Sequence, residues 1–294
     1  VAGVNVTELS LIVAGYRDDT LRRKLENLRD LAQNGELSGV EVCIVILGSE
    51  RERLESLRQE WSFVLRVFEV PDAIMAGKYP ISFKRNWGAK HAFGTVLLFT
   101  DDDVLHEPGS FTVLLEPYRN GFRGIISGDL CFEDGTVFRV ARTERIYFLH
   151  LNGSLLAVDR ASFEGLGGFK DDIRGRGGED IELGYRAQQA GVPMRRLARL
   201  TATHIGQPRT DAQTARACGY QAFHTARVHG TGYALALGVH PVLLRLKRAL
   251  FALGLGGLIA PRRFIQYERG YLEGALTAMR ELETPPQSSS GRVS

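Results

Sequence analysis

Apolar residues in this chain fall into two kinds of run that alternate from the start. Residues 9–14 (Leu-Ser-Leu-Ile-Val-Ala) and 40–47 (Val-Glu-Val-Cys-Ile-Val-Ile-Leu) are short and nearly continuous, the pattern of strands buried on both faces. Residues 20–31 instead space Leu21, Leu25, Leu28 and Leu31 as one face of a helix, and 51–61 place Leu54, Leu57 and Trp61 on one side of a second. A third strand is expected over 64–70, a helix over 83–93 and a strongly apolar strand over 95–100. Strands alternating with helices predict a doubly wound, mainly parallel sheet with helices on both faces. Ligands in such sheets gather beyond the carboxyl ends of the strands, so the residues just after Ala14, Leu47 and Thr100 are candidates to line one site.

The rhythm changes in the second half. Residues 125–150 read as short strand-like stretches with a turn at Glu133-Asp134-Gly135, which suggests antiparallel ribbons serving a different ligand. Ile181, Leu183 and Tyr185 open a short helix closed by Gly191, and an apolar run over 197–203 ends at His204. A polar helix is expected over 211–227. The apolar stretch 232–260 is interrupted by His240, Pro241, Arg245, Lys247 and Arg248, so it does not read as a bilayer span. Its Leu243, Leu244, Leu246, Leu250 and Phe251, beside those cations and Arg262 and Arg263, fit two roles equally. One is a membrane-surface element, and the other is helices packed on the catalytic domain or on another subunit. The Pro- and Ser-rich tail 284–294 is expected to be disordered.

Composition narrows the field of functions. With 294 residues, 44% hydrophobic and 24% charged, the chain can bury one substantial α/β core plus a small appendage. A net charge of only +3 gives no broad polycationic face, so nucleic-acid binding is not expected. Cys43, Cys131 and Cys218 are far apart and form neither a zinc pattern nor a disulfide framework, which suits a reducing cytosol. The first ten residues are short and mixed, without a charged-then-apolar targeting pattern.

Two acidic clusters carry the chemistry. The first, Asp101-Asp102-Asp103, follows a buried strand; crowded carboxylates there repel unless a cation is bound, and hard oxygen ligands suit Mg²⁺ or Mn²⁺. A solvated acidic turn is the bland alternative, but Arg85 upstream and a second acidic pair downstream favour the metal. That pair is Glu179-Asp180, just after Gly177-Gly178 and in the first turn of the expected helix, where the dipole and free N–H groups favour ionised carboxylates. Such a carboxylate, aimed into a cleft, can take a proton from a substrate hydroxyl.

The order of these features resembles a GT-A-fold glycosyltransferase of the family 2 type. Lys84-Arg85-Asn86-Trp87-Gly88-Ala89-Lys90-His91-Ala92-Phe93-Gly94, with the strand and Asp101–Asp103 after it, is similar to that family's R-N-x-G-x-x-x-A-x-G helix and D-x-D metal motif. The segment from Asn152-Gly153-Ser154 to Arg186 is similar to the acceptor-side motif of beta-galactosyltransferases and polypeptide N-acetylgalactosaminyltransferases. The resemblance covers about 9–205. It implies a nucleotide-sugar-binding half over 1–106 and an acceptor-binding, catalytic half over 107–205, leaving a C-terminal helical extension over 206–283.

By position, the resemblance implies a metal (Mn²⁺ or Mg²⁺) on Asp103, with Asp101 at the metal or the donor ribose and His204 completing the sphere. Gly15, Tyr16, Arg17, Arg85 and Asp102 then border the donor, Arg85 near the base or the phosphates. Asp180 becomes the general base of an inverting displacement, while Glu179, with Arg176, Gly177 and Gly178, holds the acceptor. The donor implied is a nucleoside-diphosphate sugar, UDP-linked in the first instance, and the acceptor a glycan, lipid-linked or small-molecule hydroxyl. A cytoplasmic enzyme, peripheral at the inner membrane face or homo-oligomeric, is the corresponding setting.

Two departures from the family pattern stand out. Gly48-Ser49-Glu50 replaces the Asp that many members carry after the second strand for the base, and Arg176 replaces the Trp before the paired glycines in galactosyltransferases. They keep alive an inert carbohydrate-binding or scaffold subunit as an alternative. A phosphoryl-transfer enzyme using Asp101 or Asp103 as nucleophile is a third reading, and it has no use for Gly177–Asp180.

Overall fold

A computed structural model describes residues 7–15, 17–50, 63, 65–75, 77–137, 148–149, 151–173, 177–207 and 211–283. The expected second helix over 51–61, most of the segment 138–150, and the tail 284–294 lie outside the described residues.

Eight strands form one mixed sheet: β1 (Leu9–Ala14), β2 (Val40–Leu47), β3 (Leu65–Val70), β4 (Val96–Thr100), β5 (Val104–His106), β6 (Ile125–Phe132), β7 (Leu155–Asp159) and β8 (Met194–His204). Their order is β3-β2-β1-β4-β7-β6-β8-β5. The first four lie parallel, with Leu9 opposite both Val40 and Val96. β7 then runs antiparallel between β4 and β6, and β8 lies parallel to β6. β1 and β4 are buried along their whole length, as their unbroken apolar sequences require. The core lies on both faces of the sheet. One side packs Leu21, Leu25 and Leu28 of α1 (Asp18–Gln33) on the strands, and the other packs Phe99, Phe163 and Phe169.

The helix expected over 83–93 is α2, Pro80–His91; Pro80 stands at its start, where a fixed φ suits the first turn and a missing N–H costs nothing. The chain then passes so close to β1 that a Cβ on Gly94 would come within 2.5 Å of the Ser10 amide nitrogen. Helix α3 (Ser110–Arg119) precedes β6, α4 (Arg160–Gly165) follows β7, and α5 (Glu179–Gln189) precedes β8, ending before Gly191 at φ 70°.

The antiparallel pairing expected from residue 125 onward takes the form of β6, an eight-residue strand inside the main sheet that runs antiparallel to β7. Its Gly128-Asp129 pair marks an irregularity in the β6–β8 register. A Cβ on Gly128 would meet the Leu200 carbonyl at 2.3 Å, and Asp129 is ion-paired with Arg196. The turn at 133–135 does form, with the Phe132 amide donating to the Thr136 carbonyl at 2.8 Å.

The chain divides into two compact units: Val1–Asp172 with Glu179–Pro208, and Ile173–Gly178 with Arg209–Ser294. The second contains α6 (Ala212–His229), α7 (Thr231–Ala236), α8 (Pro241–Ala252) and α9 (Ile265–Glu283). Asp211 caps α6, its side chain accepting from the Thr214 amide at 2.7 Å. Although polar in composition, α6 buries Ala215, Gly219, Ala222 and Ala226, while α9 buries Gly270, Gly274, Ala275 and Ala278. Small residues let these helices touch backbone to backbone, so that a Cβ on Gly219 would lie 1.9 Å from the Tyr271 carbonyl oxygen and one on Gly274 1.9 Å from that of Arg216. Among the described residues no helix is long and apolar enough to cross a membrane.

Candidate active site

Strand β4 delivers Asp101, Asp102 and Asp103 to the carboxyl edge of the sheet, next to Gly15 at the end of β1. Gly15 has φ 138°, and a Cβ there would stand 3.0 Å from Asp102 Oδ1, so the close approach of the two loops needs glycine. Asp102 is buried and turned toward α1: Thr20 Oγ1 donates to Oδ2 at 2.9 Å and Arg17 Nη2 to Oδ1 at 3.3 Å. That geometry ties it to the loop rather than to a ligand.

Asp103 is differently placed. Its Oδ2 accepts from Arg17 and lies 3.5 Å from His204 Nε2, while its Oδ1 is buried with no hydrogen-bond partner. The β5–β8 pairing brings this about, setting Val104 opposite His204, with the Ile205 amide donating to the Asp103 carbonyl at 2.7 Å. His204 Nδ1 lies 2.8 Å from the Ile205 carbonyl, which can only accept, so Nδ1 carries a proton and Nε2 is left facing Asp103. Burial, and then the Asp101 charge, push the Asp103 carboxyl above its ordinary pKa, against the pull of His204 and Arg17. The orphaned oxygen and the facing imidazole nitrogen fit a hard divalent cation, which takes one or two carboxylates and leaves its other positions to water and phosphate. Among the described residues no three His, Cys, Asp or Glu side chains converge, and Asp101 in particular points elsewhere.

Asp101 belongs to a buried chain of charges. Arg85, 1% exposed on α2, donates through Nη2 to Asp101 Oδ1 at 2.9 Å and through Nη1 to Glu179 Oε1 at 2.8 Å. Ser154 Oγ donates to the other Asp101 oxygen at 2.5 Å. The Arg85 guanidinium, expected beside the base or phosphates, thus has both terminal nitrogens engaged by carboxylates. Gly153 makes room for it, because a Cβ there would lie 2.6 Å from Nη1, and the Gly153 amide donates to Asp180 Oδ2 at 2.9 Å.

Glu179 and Asp180 occupy the first turn of α5, as the sequence predicts. Glu179 is buried, and its Oε2 has no partner. The helix dipole favours its ionised form, but burial, and then the neighbouring Asp180 charge, raise its pKa despite Arg85. Gly177 and Gly178 take φ 72° and 84°, left-handed values that favour glycine. Tyr16 and Arg176 lie outside the described residues.

Sequence reasoning gave no role to Thr20 or Lys24, and it named Ser154 only within the acceptor-side motif. Lys24 is fully buried behind the triplet, donating to Thr100 Oγ1 at 3.2 Å and to the Val104 carbonyl, the residues that flank it. Burial lowers its pKa to about 7, against the raising influence of Asp101, Asp103 and Asp102. Its position was readable, since a lysine three residues after Leu21 and one before Leu25 falls on the apolar face of α1.

Comparison with known proteins identifies the family. The glycosyl transferase family 2 model matches residues 10–161, and a model described as the N-terminal domain of galactosyltransferase matches 144–208. Validoxylamine A glucosyltransferases from two subspecies of Streptomyces hygroscopicus, jinggangensis and limoneus, are each 53% identical over 49 residues. Those matches cover 17% of this chain and only 11% and 10% of the relatives' lengths. The mannosyltransferase PcManGT from Pyrobaculum calidifontis, solved with GDP-Man and Mn²⁺, shares the fold at 15% identity and a TM-score of 0.62, over 94% of this chain and 87% of that one. GalNAc-T7, solved with UDP, GalNAc and Mn²⁺, aligns at 18% identity and a TM-score of 0.52, over 70% and 44%. The mixed sheet is therefore that of the GT-A glycosyltransferases. With just over half its length matched by one family model, this chain belongs to glycosyltransferase family 2.

Proposed function

We propose that this glycosyltransferase moves a sugar from a nucleoside-diphosphate donor to an acceptor hydroxyl in one inverting step, with Asp180 as general base. The observation that carries this reading is the Asp101–Arg85–Glu179 bridge. It puts the acidic edge of β4 and the first turn of α5 in one site, where Asp103 and Glu179 each keep a buried oxygen without a protein partner.

Residues 1–106 serve the donor and 107–205 the acceptor. Asp103 and His204 hold Mn²⁺ or Mg²⁺, which when bound offsets the charge of the diphosphate. Arg17, partly exposed and paired with Asp102 and Asp103, offers a cation to that charge. Glu179 Oε2 accepts from an acceptor hydroxyl. As the acceptor oxygen attacks the anomeric carbon, its proton passes to Asp180, whose carboxylate is oriented by the Gly153 and Ile181 amides. The bond from the anomeric carbon to the diphosphate oxygen breaks, and its electron pair leaves with the nucleotide. Displacement from the opposite face inverts the configuration.

A UDP-linked donor is our first choice, with GDP-mannose as its competitor. Thermal-shift titration of nucleotide sugars with and without Mn²⁺ tests the assignment, a specific donor raising the melting temperature only with metal. Calorimetry on Asp103→Ala should show metal-dependent donor affinity lost; unchanged affinity would refute the metal role. A chain that binds glycans but turns over no donor would instead be the inert scaffold.

A further inference from the structure

Helix α8 buries one side and leaves the other unpartnered. Leu244 is buried, while Leu243, Leu250 and Phe251 are half-buried. On the far side Val242, Leu246, Ala249 and Leu253 recur at intervals of four, three and four residues, which stacks them in a single row. Leu246 is 54% exposed and Leu253 72%. The turn that follows adds Leu258, 75% exposed, and is braced to the helix by the Leu255 amide donating to the Leu250 carbonyl at 2.8 Å.

Arginines border this row. Arg245 and Arg248 flank it on the helix, both exposed, and Arg262 is exposed just beyond the turn. Two carboxylates approach from α9: Glu283, 4.0 Å from Arg245, and Glu268, 3.9 Å from the half-buried Lys247. Neither faces Arg248. An exposed apolar row bordered by arginines matches the boundary of a bilayer with anionic headgroups. A second copy fits less well, because a two-fold contact through this row would set the same arginines against each other.

We propose that α8 and the turn after it dock on an anionic lipid surface. Val242, Leu246, Leu253 and Leu258 enter the headgroup boundary, and Arg245, Arg248 and Arg262 meet the lipid phosphates. The surface is independent of the glycosyl-transfer chemistry.

Flotation of the full chain with phosphatidylcholine vesicles, with and without phosphatidylglycerol, tests this. The chain should float with the anionic vesicles only, and less as salt rises. The double variant Leu246→Glu, Leu253→Glu should lose at least tenfold in partitioning while its circular dichroism and donor turnover in solution stay unchanged. Arg245→Ala with Arg248→Ala should cost roughly 25-fold, at about fivefold per cation. Failure of the wild-type chain to float with anionic vesicles, or undiminished flotation of the glutamate variant, overturns the proposal. So does a dimer in light scattering that Leu246→Glu dissolves, which would make the row a self-interface.

Discussion

In the sheet-containing unit Lys24, Arg85, Asp103 and Glu179 are all buried, and oxygens of the last two find no protein partner. In the helical unit the tightest contacts belong to Gly219, Gly270 and Gly274, where backbone meets backbone across α6 and α9. The first arrangement spends stability on holding charges away from water, which is worth doing only where a ligand or a reaction uses them. The second gains stability from close packing, and among its described residues no charged side chain is buried. Substitutions should therefore separate cleanly: those in the first unit should change chemistry more than folding, and those in the second the reverse.

The largest effect tests the first half of that contrast. Asp180→Asn should lower turnover by roughly 10²–10⁴-fold, the usual contribution of a general base, with melting temperature and donor affinity nearly unchanged. Near-normal turnover in steady-state assays would remove Asp180 from its role. Arg85→Gln crosses the divide, since it strands Asp101 and Glu179 together; a loss of about 3–5 kcal/mol in denaturant unfolding is expected along with lost activity. A stable but inactive Arg85→Gln would show that the bridge matters to chemistry alone. Gly274→Ala should destabilise by roughly 1–3 kcal/mol through overpacking against α6 while leaving turnover per folded molecule intact. Were its turnover to fall instead, the helical unit would share in the chemistry.

The smallest effect concerns Lys24. Its folded pKa of about 7 lies below that of an unfolded lysine, so between those values the unfolded chain binds more protons. Stability should rise with pH across that window, by up to about 1.4 kcal/mol per pH unit, and this contribution is lost as pH falls through 7. Lys24→Met should flatten the slope, measurable as urea midpoints from pH 7 to 9.

How much of this was legible depended on where each residue's partners lie. The strands and α1 were readable because burial on two faces, or on one helical stripe, imposes its own period. The place of β6 in the main sheet was not readable, because the neighbours of its Gly128 and Asp129, Leu200 and Arg196, lie about 70 positions away. The acidic triplet and Glu179-Asp180 were visible as clusters, but the contacts that set their members apart were not. Nothing local says that Asp102 turns inward to Thr20, or that Arg85 is claimed by two carboxylates 16 and 94 residues distant. The same holds for the raised pKa of Glu179, which burial produces against the local dipole.

Gly153 limits the order in which this site can change. Its missing side chain admits the Arg85 guanidinium, and its amide orients Asp180, so one position is answerable to both acidic clusters. A side chain at 153 would push the Arg85 guanidinium away from Asp101 and Glu179, and shortening the residue at 85 would relieve that contact. The two positions are thus epistatic, and a mutational route to a new sugar or acceptor that runs through residue 153 is eased by a prior change at residue 85.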